Sequence, residues 1–146
     1  MNKPVRTAIV LFLVFTMAGA VSAAGGFITT GKGAQYRDLG TGTGERAEAG
    51  DVATMHFVGW LDADGGKGRE LYDTRRRGAP VSFVIGTDRV MPGWNEGVIG
   101  MRPGGKRLVK VPAELGYGAR GVQGVIPPNA GLIFVIELLE LEKQSQ

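Results

Sequence analysis

Apolar residues fall on alternate positions near the end of the chain: in "GLIFVIELLELE", Leu132, Phe134, Ile136 and Leu138 share one face of an extended backbone. "DVATMHFVGWL", Asp51 to Leu61, is a second strong strand, rich in aromatic and β-branched residues. Its alternation places Met55 and Phe57 on one face, with Thr54 and His56 on the other. "DADGGKG" carries Asp-Gly-Gly at its centre, so "RELYDT" is expected to return as the partner strand of a hairpin. "AQYRDLG", "PVSFVI" and "KRLVKV" each have strand length. The pattern predicts an α+β fold of five or six antiparallel strands.

Only "GWNEGVIGM", Gly93 to Met101, has helical spacing. Two or three turns are marginal in water, and Gly97 and Gly100 weaken them further. Trp94, Val98 and Met101 fall at i, i+4 and i+7, one apolar stripe that a sheet must cover. Trp94 is then either a core plug or the floor of an open pocket.

The ends of the chain change the charge argument. "MNKPVR" reads as a basic n-region, "TAIVLFLVFTMAGAV" as an apolar core and "VSAA" as a cleavage site, so residues 1–24 are expected to be a signal peptide. Residues 25–34 read as a flexible, glycine-rich leader, 35–142 as one domain and 143–146 as a tail. The full chain has 17 basic and 14 acidic residues; without Lys3 and Arg6 the balance is 15 to 14, a net of +1. That gives no ground for expecting a nucleic-acid partner. "RRR", Arg75 to Arg77, reads as a solvated loop, and "GTGTGE" as a turn without the Lys-Ser/Thr pair of a phosphate loop. The expected location is outside the cytoplasm: the periplasm of a Gram-negative source, otherwise secreted or luminal. There is no cysteine to staple an exported chain or accept a lipid, so stability must come from packing.

The chemistry the chain lacks is informative. His56 is its single histidine and cysteine is absent, so no metal site of nitrogen and sulfur ligands is expected. The serines are Ser22, Ser82 and Ser145, and none builds a nucleophile arrangement. Asp62 and Asp64 sit in a turn and read as solvated. A reaction needing neither nucleophile nor cofactor is rotation about an X-Pro amide, whose barrier is ~20 kcal/mol. The planar amide is resonance-stabilised and charge-separated; the twisted transition state is less so. An apolar aromatic cup favours the twisted form.

From about Gln35 to Glu142 the chain resembles the FKBP-type peptidyl-prolyl isomerases. The resemblance rests on "MHFVGWL", "LYDTRRRGAPVSFVIGTDRVMPGWNEGVIGMRPGGKR" and "VPAELGYGARGVQGVIPPNAGLIFVIELL", in that order. It implies a curved antiparallel half-barrel wrapped around one short helix, with Trp94 as the pocket floor beneath a proline ring. By the same resemblance Tyr72 is an aromatic wall, and Asp73 an acid whose carboxylate meets the ligand or a tyrosine hydroxyl. Val90 and Met91 are the apolar pair before the tryptophan, with the Met91 N–H facing a ligand carbonyl. Tyr117 reaches into the site with its hydroxyl, and Ile126 and Phe134 close the apolar wall. No cofactor is implied.

Three positions depart from the family pattern. Phe57 stands where tyrosine is frequent, Val81 where phenylalanine is frequent, and Val122 where histidine can occur. The implied partners are proline-containing polypeptides and tacrolimus-type macrolides, the latter bound more weakly for want of a ring at Val81. A holdase that binds proline segments without turnover, and a docking protein with a vestigial pocket, are the competing readings. With no dimerisation arm or tandem repeat, a monomer is expected.

Overall fold

The computed structural model describes residues 26–144, which build one antiparallel sheet and two short helices. The strands are β1 (Ile28–Thr29), β2 (Gln35–Gly40), β3 (Val52–Ala63), β4 (Gly66–Asp73), β5 (Val81–Val84), β6 (Lys106–Val111) and β7 (Leu132–Glu142). The helices are α1 (Thr74–Arg77) and α2 (Pro92–Val98), and a 3₁₀ turn covers Ala113–Leu115. The strand order is β1-β2-β6-β7-β3-β4, with β5 also on β3. The expected signal peptide, residues 1–24, lies outside the described residues. Among those described, no helix is long and apolar enough to cross a membrane.

Six strands are those the alternation predicts. The seventh, β1, lies in the segment expected to be a flexible leader, where Ile28 pairs with Tyr36 and Thr29 with Gln35. Two residues leave no periodicity to read. This strand exists through pairing, and the neighbouring Phe27 ring sits under Arg37 and Lys110, at 5.0 and 4.6 Å. The expected tail is tied down as well. Lys143 Nζ reaches Asp51 Oδ2 at 2.6 Å and Glu48 Oε2 at 3.3 Å, and Gln144 N–H donates to Asp51 at 3.4 Å.

The core lies on the inner face of the sheet, where Met55, Val109, Val111, Leu132, Ile136 and Leu138 are buried. β3 occupies the centre. One edge pairs with β7 from Val52 to Leu61. The other edge is divided: β5 covers Val52 to Met55 and β4 covers Val58 to Ala63. His56 and Phe57 fall in the gap between them.

A single side chain fills that gap. Thr74 Oγ1, fully buried, accepts the Phe57 N–H at 2.9 Å and donates to the Phe57 carbonyl at 3.2 Å. His56 Nδ1 is 2.8 Å from the same oxygen. A hydroxyl has one proton and two lone pairs, so these contacts use it completely. With its proton directed to Phe57, Thr74 turns a lone pair to His56 Nδ1.

Thr74 opens α1, so the arginine run expected to be a solvated loop is helical. Asp73 caps the helix, accepting from Arg75 N–H at 2.9 Å and Arg76 N–H at 3.4 Å, and Gly78 ends it at φ 92°. Each guanidinium is engaged: Arg75 with Glu137, Arg76 with Glu70 and Asp73, and Arg77 over the Tyr72 ring at 5.2 Å.

α2 is shorter than its apolar stripe suggests. It stops at Val98 because Gly100, at φ 84°, turns the chain, although Met101 beyond the turn is still buried. Pro92 starts it, as a residue with no N–H to satisfy. Gly93 and Gly97 face the sheet. A methyl group at Gly93 would collide with Val111, and one at Gly97 would come within 2.9 Å of Val109 Cγ1. The end of the helix has no glycine cap; instead buried Arg107 donates from Nη1 to Gly97 O at 3.0 Å and Ile99 O at 2.8 Å. Its Nε holds Asp38 at 2.7 Å.

Candidate active site

The close approach of α2 sets the floor of a cup. Trp94, one residue after the buried Gly93, stands among three phenyl rings. Phe57 meets it edge-on at 4.7 Å between centroids, Phe134 edge-on at 5.8 Å, and Phe83 at 5.9 Å with a 38° tilt. Phe57 comes from the patched gap in β3, so Thr74 fixes one wall of the cup through the backbone. Phe134 lies on β7 opposite Gly59, and a methyl group there would press within 2.9 Å of its ring. Asn95 ties α2 to the chain after β5, accepting from Gly86 N–H at 2.8 Å and donating to Thr87 O at 2.7 Å.

The cup encloses about 290 Å³. Its rim is tall: Tyr72 and Tyr117 are 41% and 44% exposed, and Tyr72 stacks on Phe57 at 5.6 Å. Val81, Met91, Val122 and Ile126 complete the wall from the sequence-derived set. The loop carrying the last two closes on itself through paired backbone bonds between Val122 and Ile126, both 2.8 Å. Arg69 of β4 donates to the Val125 carbonyl and ties that loop to the sheet edge.

Two residues inferred for the site lie outside the lining. Val90 packs against the core behind Met91. Asp73 directs its carboxylate to the start of α1 and to Arg76 Nε at 3.1 Å. Burial raises the Asp73 carboxyl, but the bonds from Arg76 and from the Arg75 and Arg76 N–H groups outweigh that and hold it below the usual carboxylate range. With Phe57 in place of tyrosine, no phenol hydroxyl competes for it.

Sequence reasoning missed Leu71, Val125 and Leu132 in the lining and Phe83 beside Trp94. Phe83 alternates inward on β5, a signal present as strand periodicity, whereas Leu71 stands between Glu70 and Tyr72 in a strand with no apolar alternation. The lining contains no carboxylate, ammonium, guanidinium or imidazole. Trp94 Nε1 is buried with no hydrogen-bond partner among the described residues. Such a surface can desolvate a planar ring and its amide, and apart from the Tyr72 and Tyr117 hydroxyls and the indole N–H its side chains are apolar. That suits bond rotation, in which no covalent bond is made or broken. No group of three or more acidic, histidine or cysteine side chains capable of holding a metal occurs among the described residues.

A family model described as FKBP-type peptidyl-prolyl cis-trans isomerase matches residues 43–139. An "FK506-binding protein" of Neisseria meningitidis serogroup A is 46% identical over 104 residues, covering 71% of this chain and 92% of the relative. "Peptidyl-prolyl cis-trans isomerase FPR2" of Saccharomyces cerevisiae is 42% identical over 101 residues, 68% of this chain and 72% of the relative. Among solved structures, FkpA from Escherichia coli superposes with a TM-score of 0.69 at 38% identity, over 81% of this chain and 52% of that one. The chain belongs to the FKBP-type peptidyl-prolyl cis-trans isomerases, and its curved sheet around a short helix is the fold of that family. It is an enzyme of that class.

Proposed function

We propose that the chain isomerises X-Pro bonds of exported polypeptides and binds tacrolimus-type macrolides in the same cup. One observation carries the reading: an aromatic floor, Trp94, sits among Phe57, Phe83 and Phe134 in a lining free of charged side chains. The proline ring stacks on Trp94. Tyr72, Tyr117 and Phe134 contact the twisting amide, and Met91 offers its backbone N–H at the start of α2. Asp73 acts from outside the lining by holding α1 and the base of Tyr72. The n-region, apolar core and "VSAA" site at residues 1–24 support export.

The test is a protease-free isomerisation assay on residues 25–146 with a neutral Leu-Pro peptide. Acceleration that macrolide abolishes is expected. A folded protein that leaves the peptide rate unchanged refutes the proposed substrate. Export is checked separately by N-terminal sequencing of the exported chain, where a retained Met1 overturns it. For the macrolide, Val81 exposes less apolar surface than a phenylalanine would. If ~40 Å² of contact is missing, the loss is ~1 kcal/mol, or less than tenfold in affinity. Val81→Phe should recover part of it by titration calorimetry, and no binding to either protein would refute the macrolide reading.

A further inference from the structure

Beside the cup lies a second hollow of about 400 Å³, between β4 and the loop that follows Tyr117. The two share Val125 and Ile126 as their common wall. Their chemistry differs. The second hollow is lined by Arg69 and Arg120, with Gln123, Pro127 and Pro128, and by no acidic residue.

Neither arginine is neutralised among the described residues. Arg69 spends one N–H on the Val125 carbonyl and makes no ion pair among the described residues. Arg120 is exposed and makes neither a hydrogen bond nor an ion pair among the described residues. Glu70, the acid next to Arg69 in sequence, is taken by Arg76 on α1. Two cations therefore face one hollow with no counter-charge, a chain's width from the place where a proline is held.

We propose that this hollow is a second subsite, which takes an acidic side chain of the same polypeptide whose proline occupies the cup. The inference rests on the isomerase reading and adds a substrate preference to it. An extended chain rises ~3.3 Å per residue, so a side chain about two or three residues from the proline reaches across the Val125–Ile126 wall. A carboxylate there meets guanidinium donors whose geometry matches it, and a lysine meets two like charges.

Three peptide sets with one fixed X-Pro core, carrying Glu, Gln or Lys two or three residues to either side of the proline, provide the test. The measurement is kcat/KM in the protease-free assay at low and high salt. Exposed charge pairs contribute modestly, so a preference of roughly threefold for Glu over Gln, and a further decrease for Lys, is expected. The order should flatten near 1 M salt, where the screening length is ~3 Å. Arg120→Gln, which leaves Arg69 alone, should reduce the preference, and Arg120→Glu, which sets a carboxylate opposite Arg69, should abolish it. Arg120 is exposed on a loop, and circular dichroism of both variants verifies the fold. Equal rates for Glu, Gln and Lys peptides, with the Gln peptide still accelerated, overturn the subsite and leave the isomerase reading standing. Failure to accelerate any peptide overturns the isomerase reading, and the subsite falls with it.

Discussion

Replacing Thr74 by valine removes one hydroxyl at nearly constant shape, and the structure states what that hydroxyl does. It stands in for the missing rung of the ladder between β5 and β4, satisfying both the N–H and the carbonyl of Phe57. Valine leaves these groups in a fully buried site that water does not reach. An unpaired buried donor costs ~1–3 kcal/mol, and the carbonyl adds to this, while the extra methyl returns ~0.8 kcal/mol of burial. A net destabilisation of about 2 kcal/mol is expected, which for a domain of this size lowers Tm by roughly 5–10 °C. Urea unfolding followed by tryptophan fluorescence should show a lower midpoint at unchanged slope. Thr74→Ser keeps the hydroxyl and should recover most of the loss. Because Phe57 is a wall of the cup, kcat/KM of Thr74→Val should fall severalfold even where the variant is fully folded. A Thr74→Val midpoint within ~0.5 kcal/mol of wild type would refute the account, since such a value is ordinary for a site with no special role.

Other outcomes follow from the same geometry. Trp94→Ala removes the floor and core area together, so stability should fall by ~3–5 kcal/mol along with loss of activity. Trp94→Phe should cost clearly less in the same urea titration, because the indole N–H it discards has no partner. Tyr117→Phe keeps the ring and removes one hydroxyl, so kcat/KM should drop by less than tenfold, in line with ~0.5–1.5 kcal/mol for a hydrogen bond. With no ionisable acid or base in the lining other than tyrosine, kcat/KM should be nearly flat between about pH 6 and 8. Asp51 is expected to contribute to acid stability. The Lys143 ammonium, helped by the Glu48 and Gln144 N–H groups, holds its carboxyl below the usual range against the effect of burial. The folded state therefore binds this proton less readily than the unfolded chain, whose Asp titrates at ~3.9. The stabilisation is complete above about pH 5 and is lost as pH falls through the folded value. Asp51→Asn should flatten that acid limb in urea midpoints measured from pH 6 downward; an unchanged slope would remove Asp51 as its source.

Long alternating strands were legible because burial repeats along them: β3 and β7 carry their core faces in plain period two. Trp94 was legible for a related reason, since a glycine-weakened helix needs a sheet around it. What escaped was structure made by single contacts. β1 is held by pairing, and α1 by Asp73 at one end and Gly78 at the other. An acid followed five residues later by glycine was available as a signal, but the arginines between them have no apolar stripe to confirm it. Asp73 shows the limit of carrying a role over from a family. The acid is in place, yet with phenylalanine at position 57 and arginines following, its oxygens serve the helix start. Phe83 was hidden by being one core residue among many, until the curl of the sheet brought it against the indole.

The strand that completes the described sheet comes after the other six in the chain. β7 lies between β6 and β3, and Val52 waits for Glu142 as its partner. Until residues 132–142 are available, β3 has half its hydrogen bonds open, Phe134 is absent from the cup, and α2 faces a sheet missing its middle. A nascent chain that lacks β7 therefore contains no smaller version of this domain. Such long-range closure makes folding slow relative to helical proteins of the same length. It also leaves the central edge of β3 unpaired for as long as β7 is missing. That delay leaves the chain dependent on protection from aggregation until β7 arrives.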